Sequence, residues 1–176
     1  MYLGVARTIL ERKGETMNQY ELIADKVKRE VEREIDRTIQ VSYRKSRTKS
    51  GVAFPDEYRM ISPQPTDIRR LATYLHELGH FIFKVKPSCM NELKAIQFSE
   101  QKLSENGIKI PREVRRHNKW YAAYSLAQAL NRGMKNIPAE LKPYKKYLHA
   151  SNSYTHYGDG RPTKVDIRYM ADISKC

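Results

Sequence analysis

The stretch TDIRRLATYLHELGHFIF, residues 66–83, decides the fold that the sequence predicts. Apolar side chains recur in it at three- and four-residue intervals, which is the period of one face of an α-helix. These side chains are Ile68, Leu71, Leu75, Leu78 and Ile82. We expect Thr66 to cap the start of this helix, and we expect the helix to run to about Lys84, shortly before Pro87.

Two histidines and a glutamate inside this helix form the strongest motif of the chain, His76-Glu77-Leu78-Gly79-His80. Positions i and i+4 share a face of a helix, so His76 and His80 can both direct an imidazole at one metal ion. Glu77 is turned away by one residue and is expected to hold a water molecule and accept its proton. Two imidazoles and a carboxylate are typical of a zinc site that keeps one position open for water. The alternative is a pair of histidines hydrogen-bonded on a helix face.

The carboxylate is expected to come from the next helix, which is predicted to begin near Asn91 and to end at Asn106-Gly107. Glu92 is the leading candidate for the third ligand, since a short reversal over residues 86–90 would return it to the histidines. Glu100 lies two turns further along the same face and is the second candidate. Cys89 is a third candidate, although a loop cysteine is more often a small apolar filler.

At this point the sequence resembles a known family. The segment LHELGH, residues 75–80, followed by a helix that opens Asn-Glu-x-x-Ala and continues to Phe98, resembles the gluzincin branch of the HExxH zinc metallopeptidases. Chain length and element order are similar to the ImmA/IrrE group of small bacterial and phage-associated peptidases. The resemblance covers about residues 20–105. It implies that His76, His80 and Glu92 bind zinc, that Glu77 is the general base, and that the chain is an endopeptidase with a restricted protein substrate.

The rest of the chain predicts an α+β, mainly helical zincin-like domain with a small antiparallel sheet before the motif helix. Residues 17–39 carry an apolar i, i+4 stripe that predicts a long amphipathic helix, and short strands are expected at 39–43, 52–54 and 58–61. Another helix should run from Pro111 to Gly133. We expect residues 1–176 to form a single domain, with a core of about 17–133 and a basic extension at 134–176 that contains a short helix.

Peptide hydrolysis also needs a group that stabilises negative charge on the substrate oxygen, usually a tyrosine, histidine or arginine. Residues of the right type lie downstream of the motif: His117, His149, Tyr154, His156 and Tyr157. The cluster at 154–159 is favoured because a loop with glycine can overhang a cleft. His156 is therefore the predicted second catalytic residue.

The net charge is +13, and residues 111–176 carry +8 of it. Four basic residues in this third fall at i, i+3, i+4 and i+7, so they should form one positive strip on a solvent-facing helix surface. They are Arg112, Arg115, Arg116 and Lys119. Such a strip attracts nucleic acid or an acidic protein. The second functional hypothesis is thus a basic nucleic-acid-binding protein of phage or mobile-element type, on a zincin-like scaffold with a structural or vestigial metal.

Two features bear on the cellular compartment. No apolar run approaches the length of a membrane span or a secretion signal, so no membrane partner is expected. The two cysteines, Cys89 and Cys176, are too few for a disulfide framework, which favours a reducing, cytoplasmic compartment.

Overall fold

The computed structural model describes residues 11–12, 15–44, 50–150 and 169–176. Its architecture is α+β and mainly helical, which confirms the predicted fold class. The chain divides into two compact units, residues 1–82 with 98–109, and residues 83–97 with 110–176. The grouping of all 176 residues into a single zincin-like domain stays a prediction.

The helices and strands follow one another along the chain. In the first unit they are β1 (Glu11–Arg12), β2 (Glu15–Thr16), α1 (Gln19–Ile35), β3 (Gln40–Tyr43), β4 (Val52–Phe54), β5 (Arg59–Ser62), α2 (Ile68–Ile82) and the second part of α3 (Ser88–Glu105). In the second unit they are the first part of α3, α4 (Arg112–Asn131), β6 (Leu148–Ala150) and β7 (Tyr169–Ala171). β1 with β2 and β6 with β7 form two-stranded antiparallel pairs.

Helix α1 begins and ends at residues that suit those positions. Asn18 and Glu21 form a capping box, in which each side chain accepts a hydrogen bond from the other's backbone N–H. Asp36 adopts a left-handed conformation with φ of 51° and ends the helix earlier than the apolar stripe predicts. Ile39 is buried all the same, just beyond the helix, so the stripe predicts burial correctly although it overestimates helix length.

The sheet of β3, β4 and β5 is mixed, so the prediction of an antiparallel sheet is wrong for one of its two strand pairs. β5 is central; β4 pairs with it antiparallel and β3 pairs with it parallel. A single 3₁₀ turn at Pro55–Glu57 reverses the chain between β4 and β5. The chain reverses twice between β3 and β5, so these two strands run in the same direction.

Helix α2 is capped by Asp67, and the prediction of Thr66 as the cap is wrong. The Asp67 side chain accepts hydrogen bonds from the backbone N–H groups of Arg69 and Arg70, at 2.9 and 3.0 Å. These are the second and third residues of the helix, the positions that a capping side chain serves. Thr66 instead accepts from the Arg70 guanidinium. Within the predicted apolar stripe, Leu71, Leu75 and Leu78 are buried and the two end residues, Ile68 and Ile82, are half-buried. Helix α2 packs against α1.

The second half of α3 packs within the first unit through two polar contacts. The Ser99 hydroxyl donates to the backbone carbonyl of Ala72 on α2, at 2.8 Å, and both residues are buried. The Lys102 ammonium bonds Glu30 of α1 at 2.9 Å. Burial lowers the pKa of Lys102, but its hydrogen bonds to Glu30 and Glu105 outweigh this and raise the pKa overall. Helix α3 begins three residues earlier than predicted and ends, as predicted, before Gly107, which adopts φ of +71°.

The second unit packs around α4. Its core cluster combines residues of α3, α4 and the 3₁₀ helix Ala139–Tyr147: Cys89, Met90, Leu93, Ile96, Ala122, Leu126, Ala129 and Leu141. The short helix predicted in the extension is therefore a 3₁₀ helix, with Pro143 inside it. Among the described residues, no helix has the length and apolar character that crossing a membrane requires.

Candidate metal centre

The two histidines of the motif face one point. Their Nε2 atoms are 3.2 Å apart, and their rings are nearly perpendicular, at 88°. Two nitrogens bound to a tetrahedral zinc ion at about 2.0–2.1 Å are themselves about 3.3 Å apart, so the pair already has the spacing of two zinc ligands. His80 is 9% exposed and His76 is half-buried. The same spacing also fits a hydrogen bond between two neutral imidazoles, so the pair alone does not define a metal site.

Glu92 supplies the carboxylate that the pair lacks. The side chains of His76, His80 and Glu92 each offer one ligand atom, and these atoms all lie within 4.8 Å of one another. The group could hold a metal ion, as the sequence predicts. Nitrogen and carboxylate ligands of this kind suit zinc, and three protein ligands leave a fourth position for water or substrate.

Helix geometry accounts for the two histidines. His76 and His80 lie one turn apart, so they share a face of α2. Glu92 is on α3, about two turns before Ser99, and its carboxylate offers the third ligand atom of the group. Ser99 itself bonds the backbone carbonyl of Ala72 on α2.

The other two candidate ligands lie elsewhere. Among the residues that the structure describes, neither Glu100 nor Cys89 joins the group. The Cys89 thiol is buried in the core cluster of the second unit and donates to the Met134 sulfur at 4.0 Å. Burial raises the pKa of this thiol, which disfavours the thiolate that a metal requires. Cys89 is an apolar filler, as the sequence suggests.

Glu77 is buried and lies beside the face of α2 that carries the two histidines. Its side chain is 7% exposed, which is unusual for a glutamate. On a helix it lies about 100° around from His76, so it is next to the ligand face without being part of the ligand group.

The predicted oxyanion donors are only partly described. His156 lies outside the described residues, as do Tyr154 and Tyr157, so their role stays a prediction. His117 and His149 are exposed, on α4 and β6 of the second unit.

All four members of the predicted positive strip are exposed on α4. Beside them, the aromatic residues of α4 pack on one another, with Trp120 stacked on Tyr124 at 5.3 Å between ring centroids. These two rings are half-buried, so they belong to the packing of the second unit.

The chain was compared with models of protein families, with curated proteins and with solved structures. No family model, no curated protein and no solved structure matches the chain.

Proposed function

We propose that the protein is a zinc-dependent endopeptidase of the gluzincin type, similar to the ImmA/IrrE group. The observation that carries this proposal is the grouping of the ligand atoms of His76, His80 and Glu92 within 4.8 Å, next to the buried Glu77. A structural zinc site closes with four protein ligands, whereas a hydrolytic site keeps a position open. The group offers three ligands from the described residues and places a carboxylate beside them, which is the composition of a hydrolytic site.

Each residue has a defined task in this proposal. His76 and His80 bind as neutral imidazoles, and Glu92 contributes the negative charge that offsets part of the metal's. Zinc, when bound, supplies Lewis acidity, which acidifies a water molecule and polarises a peptide carbonyl. Glu77 accepts the proton of that water and later returns it to the leaving amine, as a general base and then a general acid. A restricted substrate, such as a regulatory protein, is proposed by analogy with the group alone.

Metal removal tests the proposal. Protein purified with added zinc is expected to hold about one zinc ion per chain, because the ligand group forms one site. The measurement is metal content, together with mass spectrometry of new N-termini after incubation with a peptide library. Chelation should abolish cleavage, and added zinc should restore it. If the folded protein binds no zinc, the two histidines are only a hydrogen-bonded pair and the proposal is contradicted.

A second candidate function rests on the strip of Arg112, Arg115, Arg116 and Lys119. We propose that it binds the phosphate backbone of a nucleic acid, because all four side chains are exposed on one face of α4. The described residues of the second unit carry a further exposed basic group, Lys142, Lys145 and Lys146, on the 3₁₀ helix. Phosphate contacts of this kind release counterions, so binding should weaken steeply as salt rises.

Charge reversal at Arg112, Arg115 and Arg116, all to Glu, is expected to abolish the salt-sensitive binding of single- or double-stranded DNA. Wild-type affinity should fall about 20- to 150-fold between 50 and 200 mM salt, as three or four phosphate contacts predict. The matched control reverses Lys142, Lys145 and Lys146, which changes the net charge equally but on the 3₁₀ helix instead of α4. Equal losses in both variants would assign the binding to net charge and contradict a role for the strip. Zinc content should remain unchanged in both.

A further inference from the structure

Gly51, just before β4, lies directly against the side chain of Glu77. A Cβ atom built on Gly51 would be 2.5 Å from Cγ, 2.7 Å from Oε1 and 2.8 Å from Cδ of that glutamate. Real Cβ atoms essentially never come within 3.0 Å of another heavy atom that is not bonded nearby. The contact therefore exists only because residue 51 has no side chain.

The reason for glycine at this position is space and not backbone conformation. The two glycines of the described residues with a left-handed φ are Gly107 and Gly133, and a Cβ on either would meet nothing within 4 Å. Gly51 shows the reverse pattern, with a crowded Cβ position and no left-handed φ. Among the described residues, the three nearest atoms to a Cβ at this position all belong to the Glu77 side chain, so that side chain requires a glycine here.

We propose that Gly51 is a positioning residue, whose backbone fixes the carboxylate of Glu77 in the orientation that proton transfer needs; this rests on the proposed peptidase function. A glutamate side chain has three rotatable bonds and loses conformational entropy when it is ordered. The space that a Cβ on Gly51 would fill is taken by three consecutive groups of that side chain, from Cγ to Oε1, so the backbone at Gly51 borders the carboxylate and limits the torsions that aim it. The Glu77 side chain then loses this conformational entropy when the chain folds, before substrate binds.

The proposal makes a specific demand on the substitution Gly51→Ala. The added methyl group meets the middle and the end of the glutamate side chain, so Glu77 must rotate away. The ligands His76 and His80 are on the adjoining face of α2 and do not meet this methyl group among the nearest contacts. Zinc affinity should therefore persist while turnover falls. A displacement of about 1 Å costs on the order of 10²-fold in rate, so a fall of about 10- to 10²-fold in kcat is expected, with KM unchanged.

The experiment is a double-mutant cycle with two readouts. Gly51→Ala, Glu77→Ala and the double variant are compared with the wild type, by thermal unfolding of the metal-free chain and by zinc binding. Gly51→Ala should lower the unfolding midpoint by several degrees, as overpacking does. In the Glu77→Ala background, which lacks Cγ, Cδ and Oε1, the same substitution should lower it far less. Gly107→Ala is the matched control, because it strains the backbone without touching Glu77 and should leave kcat of the zinc-loaded protein unchanged.

The outcomes separate this proposal from the peptidase function. Coupling between the two positions, together with a selective loss of kcat, supports it. Additive effects on stability, or a kcat that Gly51→Ala does not change, would overturn it, as would misfolding of both the single and the double variant. If the wild type cleaves nothing, the peptidase function fails, and the stability cycle on metal-free protein still decides whether Gly51 orders Glu77.

Discussion

Replacement of His76 or His80 by alanine is expected to abolish zinc binding at micromolar metal, while the chain remains folded. The two Nε2 atoms are 3.2 Å apart and supply two of the three ligands, so neither histidine can be replaced by the other. Loss of an outer partner of a metal ligand already costs about 10- to 100-fold in affinity, and loss of the ligand itself should cost more. Titration with a competing chelator measures the change, and circular dichroism confirms that the helices persist.

The same titration tests the third ligand. Glu92→Ala should weaken zinc binding by at least about 10²-fold, since the carboxylate is one of three ligands. Glu100→Ala is the matched control, because it removes the same carboxylate from the same helix at a position outside the group. A metal site lost with Glu100→Ala and retained with Glu92→Ala would show that the third ligand is assigned wrongly. Equal affinity for all of these variants would refute the site as a whole.

Much of the fold follows from the sequence because it depends on local periodicity. The stripe of α2 and the spacing of His76 and His80 are both consequences of 3.6 residues per turn, and the structure confirms both. The choice of Glu92 over Glu100 depends on the length of the turn between two helices. Helix α3 begins at Ser88, earlier than its sequence suggests, and Glu92 joins the ligand group whereas Glu100 does not.

Other features depend on contacts that no local pattern encodes. Thr66 and Asp67 are both good capping residues, and only the position of the first helical turn decides between them. The parallel pairing of β3 with β5 depends on how often the chain reverses between them, which the strand pattern does not show. The sequence does not mark Gly51 as functional, since a glycine at the end of a basic stretch resembles any turn residue. Its contact with Glu77 joins positions 26 residues apart.

Glu77→Gln is expected to separate metal binding from turnover. Glutamine has nearly the size of glutamate and keeps one of its two acceptor oxygens, so the buried position on α2 remains filled and zinc binding should be unchanged. It cannot accept a proton, and loss of a general base costs about 10²–10⁴-fold in rate. Cleavage of the best library peptide by equally zinc-loaded proteins measures the effect, and Glu100→Gln is the control for the same chemical change outside the ligand group.

This variant also distinguishes the two functional hypotheses. A structural or vestigial metal has no use for a base, so Glu77→Gln should then change neither zinc content nor any measured activity. A catalytic metal predicts unchanged zinc content with the loss of turnover. Equal cleavage by wild type and Glu77→Gln would exclude Glu77 as the base, even with zinc in place. Gly51→Ala can also be combined with Glu77→Gln. If Gly51→Ala lowers kcat of the wild type but does not lower the residual rate of Glu77→Gln, both substitutions act through the same carboxylate. The reason is that a glycine whose role is to order Glu77 no longer affects catalysis once the base is removed.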